Sequence, residues 1–182
     1  VETNKSVQIE NCYFESCGIN NNEYHDFKGG AIFVNQKSGT QSFCLINNTF
    51  NGTQSTSDYS AVDFECSGTC PLFLIENCTF KNCKTTCYLR LPYSIISCPI
   101  NVQYFECINS IFEFDDKSIM NPRVALIEAS NFSFDNCNFI RCGSKIVNEG
   151  GCIYYEGIQT TELEKISIQN CYFLECEATN PA

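Results

Sequence analysis

Ile75-Glu76-Asn77-Cys78-Thr79-Phe80-Lys81-Asn82-Cys83 is the stretch that decides the fold, because the same phrase keeps returning. It returns closely at residues 9–17, 134–142 and 168–176, and in degenerate form at 45–53 and 107–115. Two positions hold in all six copies: an asparagine (Asn11, Asn47, Asn77, Asn109, Asn136, Asn170) and a phenylalanine three residues later (Phe14, Phe50, Phe80, Phe112, Phe139, Phe173). Successive phenylalanines stand 36, 30, 32, 27 and 34 residues apart. A fixed element joined by connections of free length is the mark of a solenoid, in which each repeat buries its apolar face only against its neighbours.

Outward from the asparagine the pattern is that of strands. Four residues before it stand Val7, Phe43, Phe73, Phe105, Phe132 and Ile166, and two before it Ile9, Leu45, Ile75, Cys107, Phe134 and Ile168. This alternation is the period of a strand with one buried face. The phenylalanine falls on the opposite parity, so the chain must turn a corner at the asparagine, a residue that accepts left-handed backbone. Stacked corners predict a ladder of inward-turned, hydrogen-bonded amides with the phenylalanines behind them. A second signal follows each repeat: Gly29-Gly30-Ala31-Ile32-Phe33, Ser60-Ala61-Val62-Asp63-Phe64, Thr86-Cys87-Tyr88-Leu89, Val124-Ala125-Leu126-Ile127 and Gly150-Gly151-Cys152-Ile153-Tyr154. These read as another strand of each coil, with Cys87 and Cys152 as small buried side chains where other copies carry alanine.

Fifteen cysteines in 182 residues are many. Four repeats carry a pair, Cys12 with Cys17, Cys78 with Cys83, Cys137 with Cys142 and Cys171 with Cys176, while the two degenerate copies carry Asn48 with Thr53 and Ser110 with Asp115. Joint presence and joint loss predict four disulfides within repeats, and hence an oxidising, extracellular location. Zinc held between neighbouring repeats is the weaker alternative, the Cys-x4-Cys spacing being wide for it.

A formal charge of −10 with a single histidine argues against nucleic-acid partners, which need basic patches. No apolar run is long enough to span a membrane as a helix. The chain begins at Val1 without methionine, which reads as a processed or excised product. The sequons at Asn4, Asn47, Asn51, Asn77 and Asn131 suit a secreted glycoprotein. With Asn47 and Asn77 turned inward, Asn4, Asn51 and Asn131 are the expected carriers of N-linked glycans.

The residues Gly29-Gly30-Ala31-Ile32 and Gly150-Gly151-Cys152-Ile153, with the Asn-Cys-x-Phe-x-x-Cys repeats, resemble those of the polymorphic outer-membrane proteins of bacterial autotransporters and of large surface proteins of parasitic protists. The order here is Asn-x-x-Phe where the bacterial signature runs Phe-x-x-Asn. The resemblance implies a right-handed parallel β-helix serving as a stalk or adhesin, and implies no activity. The reading is therefore an all-β chain forming one domain over 1–182: a right-handed parallel β-solenoid of about six coils, stapled by disulfides.

Catalytic and metal-binding patterns are sparse. Asp115-Asp116-Lys117 with Arg123 is the nearest approach to a hydrolase dyad, but it lies in one loop and no matching acidic group recurs on other coils. His25 stands in a polar loop with no nucleophile placed beside it. Glu23 with Asp26 lacks the regular spacing of a calcium loop. No catalytic residue, metal or cofactor is expected, and the chain is read as a non-enzyme. The leading function is an extracellular structural subunit of a stalk, coat or filament. The alternative is an adhesin or glycan-binding module using Tyr13, Tyr24, Tyr154, Tyr155 and Tyr172, with a polysaccharide-degrading enzyme third. Neither end of the sequence leaves room for a polar cap. The first and last repeats are near copies, so subunits are expected to stack head to tail as a homo-oligomer.

Overall fold

The structure, a computed structural model, describes residues 2–3, 5–19, 30–37, 41–55, 59–85, 94–99, 101–115, 123–143, 151–155 and 165–177. Every strand pair in it is parallel, and the strands form columns. One six-stranded sheet runs through Glu2–Thr3, Ile32–Gln36, Tyr59–Cys66, Ser94–Cys98, Arg123–Ile127 and Ile153–Tyr155. A second takes Val7–Glu10, Phe43–Ile46, Cys70–Glu76, Val102–Ile108, Asn131–Asp135 and Ile166–Gln169. A third stacks Tyr13–Glu15, Thr49–Asn51, Thr79–Lys81, Ile111–Glu113, Asn138–Ile140 and Tyr172–Leu174. A short fourth sheet joins Gly18–Ile19, Gln54–Ser55 and Lys84–Thr85. Each repeat thus contributes one strand to each of the three main sheets, which is a parallel β-solenoid. No helix among the described residues is long and apolar enough to cross a membrane, which says nothing of strands.

The columns follow the sequence register. Phe43, Phe73, Phe105 and Phe132 are paired partners across successive strands, as are Leu45, Ile75, Cys107 and Phe134. All eight are buried. The repeat phenylalanines form a continuous ladder from Phe14 to Phe173, with ring centroids 4.6 to 5.2 Å apart and planes within 9° of parallel. That spacing is close to the ~4.8 Å separation of paired strands. The rings therefore stack face to face because the backbone register places them so, and they fill the interior.

Two left-handed corners bend the chain in five of the six repeats, and one is present in the repeat of Asn109. The invariant asparagines all have φ between 52° and 55°, the left-handed conformation expected at a corner. A second corner lies five residues further on, where Ser16, Asn82, Arg141 and Glu175 have φ between 51° and 54° and Gly52 has φ 63°. Backbone hydrogen bonds continue through the corners from one repeat to the next, for example Asn77 N to Ile108 O at 3.0 Å and Asn82 N to Glu113 O at 2.9 Å.

Two assignments made from sequence need correction. Residues 86–89, including Cys87, lie outside the described residues, and that repeat's place in the first sheet is held by Ser94–Cys98. The run at 124–127 is one residue out of step: Ala125 pairs with Ile153 and with Ile96, which pairs in turn with Val62. Val124, not Ala125, therefore sits at the level of Cys152 and Ala61. Short apolar runs without polar alternation, such as the fully buried Ser94–Cys98 and Arg123–Ile127, carry no parity to fix their register.

Candidate functional site

All fourteen cysteines among the described residues are thiols, so the expected bridges Cys12–Cys17, Cys78–Cys83, Cys137–Cys142 and Cys171–Cys176 are not formed. The geometry forbids them. Between the two cysteines of a repeat runs a three-residue strand, Thr79–Lys81 in the second close copy. Three extended residues span about 10 Å, beyond the ~7 Å across which two Cα atoms can be bridged.

What the corner cysteines do instead is bond to backbone. Cys78 Sγ lies 3.4 Å from Glu76 O and 3.5 Å from Leu45 O of the preceding repeat. Cys83 Sγ is 3.7 Å from both Lys81 O and Phe50 O. In the degenerate copies Ser110 Oγ donates to Ile108 O at 2.9 Å, and Asn48 Nδ2 donates to Ile9 O at 2.7 Å. Both also accept: Ser110 Oγ from Cys78 N at 3.1 Å, and Asn48 Oδ1 from Cys12 N at 2.9 Å. The first corner needs a small hydrogen-bonding side chain, and cysteine, asparagine and serine all serve. Joint replacement in a repeat reflects two like corners, not one covalent pair.

Thiols also come together across coils. The Cys107 and Cys137 sulfurs are 3.7 Å apart. Burial pushes the Cys107 thiol well up, and its hydrogen bond draws Cys137 down. A group of three lies nearer the last repeat: the sulfurs of Cys142, Cys152 and Cys176 are all within 4.8 Å of one another. Cys142 and Cys176 hold the same corner in consecutive repeats, and Cys152 enters from just before the first-sheet strand Ile153–Tyr155. Gly143 brings the three segments together. Its φ is +94°, and a Cβ there would lie 2.1 Å from Glu177 O and 2.6 Å from Gly151 O, each the neighbour of a clustered cysteine. The three thiols share protons unequally. Hydrogen bonds from Cys142 and then Cys152 hold the Cys176 thiol down at about 3, while burial pushes Cys142 far up. For Cys152, the hydrogen bond with Cys142 pulls downward but that with Cys176 and burial prevail, taking it to about 12.

The asparagine ladder is turned outward, correcting the inward orientation expected. Asn11, Asn47, Asn77, Asn109, Asn136 and Asn170 are all exposed. Asn47 Nδ2 donates to Asn11 Oδ1 at 3.3 Å, Asn136 Nδ2 to Asn109 Oδ1 at 2.8 Å, and Asn170 Nδ2 to Asp135 Oδ1 at 2.8 Å. A left-handed residue at a convex corner points its side chain to solvent, so the sequons at Asn47 and Asn77 face out. Of the favoured glycan carriers, Asn4 lies outside the described residues. Asn131 is tied into the sheet, its Nδ2 donating to Gln103 O at 3.1 Å and its Oδ1 accepting from Lys165 N at 2.9 Å. Asn51 Nδ2 donates to Tyr13 Oη at 3.3 Å.

The acidic loop candidate is dispersed. Asp115 accepts from Asn82 Nδ2, donates its own N–H to Asn82 Oδ1, and lies 3.9 Å from Lys81 Nζ. Arg123 is buried, with its guanidinium 4.6 Å over the Tyr154 ring, on a different sheet. Asp116, Lys117, His25, Glu23 and Asp26 lie outside the described residues. Tyr13 and Tyr172 are exposed in the same column but on the first and last repeats, Tyr154 and Tyr155 are half-buried, and Tyr24 is not described, so these tyrosines do not form one patch among the described residues.

The second corner and the thiol cluster escaped the sequence reading. The corner left a signal, since Phe80 and Cys83 are both buried yet three residues apart, a second parity break. The cluster left none, because Cys142 and Cys152 meet through a connection of unconstrained length.

Fold and site together define a cysteine-rich parallel β-solenoid. No protein-family model matches the chain, and neither the curated proteins nor the solved structures include a match to it.

Proposed function

We propose that this chain is an extracellular structural protein, a rigid solenoid segment of a surface stalk, coat or filament that grows by stacking of subunits end to end. The observation that carries the reading is the register of the repeats. Val7, Ile9 and Phe14 of the first repeat and Ile166, Ile168 and Phe173 of the last stand in the same columns as side chains that are buried in the interior repeats, so a first repeat carries the residue pattern that stacks on a last one. We assign the first repeat of a second copy as the neighbour of the last, a heterologous contact that does not close and so generates a fibre.

The resemblance of the repeats to those of autotransporter and protist surface proteins supports the extracellular setting, as do the sequons. With no disulfide formed among the described residues, cysteine count no longer argues for it. The experiment is sedimentation of the purified chain across a concentration series, with electron microscopy of the same samples. Rods that lengthen with concentration, and shorten when Phe173→Glu is introduced, are the expected result. A chain that stays monomeric at high concentration overturns the reading.

A further inference from the structure

We propose that Cys142, Cys152 and Cys176 form a binding site for a single thiophilic d10 cation, Zn2+ or Cu+, held by three thiolates at the junction of the last two repeats. The geometry is the argument. Three sulfurs from three chain segments lie within 4.8 Å of one another, with two buried and one half-buried. A Zn–S bond of about 2.3 Å sets sulfur–sulfur separations of ~3.8 Å in a tetrahedral site, so movements of about an ångström or less would complete the first shell. The site is also built. Gly143 is required there both by its φ of +94° and by the carbonyls of Gly151 and Glu177, which leave no space for a Cβ. Elsewhere Cys78 bonds to backbone carbonyls and Cys137 meets Cys107, and among the described residues no other three cysteine sulfurs are grouped as closely. Half-buried Cys176 gives an ion a way in.

The chemistry suits soft or borderline cations and excludes hard ones. Thiolates select zinc or copper(I) over calcium and magnesium, which require oxygen ligands. Binding forms three metal–sulfur bonds and releases to solvent whatever protons the thiols still carry, with no change of oxidation state. Three protein ligands leave a tetrahedral ion one position for water or a small anion, whereas a trigonal ion is satisfied by the three sulfurs. The bound ion would lock the last two repeats together through Cys142 and Cys176, and would anchor the first-sheet strand that follows Cys152. The proposal does not depend on end-to-end stacking, since a monomeric chain presents the same three sulfurs.

The test is metal loading of the reduced full chain, read by native mass spectrometry with Zn2+ and, separately, with Cu+ under anaerobic conditions. Co2+ serves as a spectroscopic stand-in for zinc. One ion per chain and a sulfur-to-cobalt charge-transfer band are expected. The ligand variant is Cys152→Ala, chosen because Ala61 holds the equivalent level of the first sheet and the fold should tolerate it. Cys142→Thr is the second variant, since Thr53 occupies that corner in another repeat. Each should weaken binding by roughly 100-fold or more, beyond the loss typical of outer-shell changes. Cys137→Ser, at the corner where Ser110 stands, should leave binding unchanged. The proposal is overturned by zinc and copper uptake that is the same in Cys152→Ala as in the parent. It is equally overturned if neither ion binds the reduced chain, or if Cys137→Ser abolishes binding as fully as the ligand variants do.

Discussion

The ring of Phe50 lies 4.6 Å from that of Phe80 with the two planes 2° apart, and both side chains are fully buried. Phe80 has a second stacked neighbour in Phe112 at 5.0 Å. Removing an interior ring therefore opens a cavity between two flat surfaces that the sheets hold apart, where collapse is difficult. Phe80→Ala should cost about 3 to 5 kcal/mol. Phe173→Ala, which removes a half-exposed ring with one stacked neighbour, should cost roughly half as much. Equilibrium urea unfolding of the two variants checks the order. Equal losses would mean that the ladder does not carry the core.

Asn77 tests the corner. Its side chain is exposed and its φ is 53°, so the requirement is conformational and owes nothing to burial. Asn77→Gly should be nearly neutral, because glycine enters the left-handed region freely. Asn77→Val should lose about 1 to 2 kcal/mol, the usual cost of forcing a β-branched residue there. Thermal unfolding would separate them, and a Gly variant as unstable as the Val variant would restore a role for the amide.

Cys78→Ser isolates what a corner thiol contributes. Serine at position 110 donates to its own Ile108 O as Cys78 Sγ does to Glu76 O, and it also accepts from the backbone of the repeat before. The substitution should change stability by less than ~1 kcal/mol. Loss of a staple would cost about 2 to 5 kcal/mol, so the same unfolding experiment distinguishes a hydrogen-bonding corner from a covalent one.

The fold was legible because period and parity are properties of sequence. Asn77 and Phe80 recur at fixed separation, and Phe73, Ile75 and Phe80 fix which residues face inward before any coordinates are known. The direction of the asparagine was not legible: position 77 lies between Ile75 and Phe80 in a pattern read as buried, and only the φ of 53° turns its side chain out. The cysteine pairing misled for a related reason. Five residues look close in a sequence, but with Thr79–Lys81 extended between two corners they are far apart, while Cys142 and Cys176 are neighbours in space. Contacts across coils depend on connection lengths such as that between Cys142 and Cys152, which no periodicity constrains.

Sequon use follows from the corrected orientation. N-linked glycans attach through Nδ2, and in the folded chain Asn131 Nδ2 is committed to Gln103 O. Asn77 is exposed at a convex corner. Secreted expression in a eukaryotic host followed by glycopeptide mapping should find Asn77 occupied and Asn131 bare. Occupancy at Asn131 with a bare Asn77 would show that the corner does not present its asparagine.

Thiol reactivity gives the last prediction, and its sign comes from two shifted groups at the two corners of the last repeat. Cys176 is held down at about 3 by hydrogen bonds from Cys142 and Cys152, so in the metal-free protein it is already a thiolate at neutral pH and stays one well below it. Cys171 is pushed above the ordinary thiol value, chiefly by burial, so near neutrality only a small thiolate fraction is present. Alkylation proceeds through the thiolate. Between pH 6 and 8 the rate at Cys176 should therefore be flat, while that at Cys171 should rise about tenfold per pH unit. Cys83, fully buried and raised to about 11, should react only on unfolding. Pulsed iodoacetamide labelling read by peptide mass spectrometry measures all three in one sample. A pH-dependent rate at Cys176, parallel to that of Cys171, would show that Cys142 and Cys152 do not donate to it and that the three sulfurs are not held together in solution.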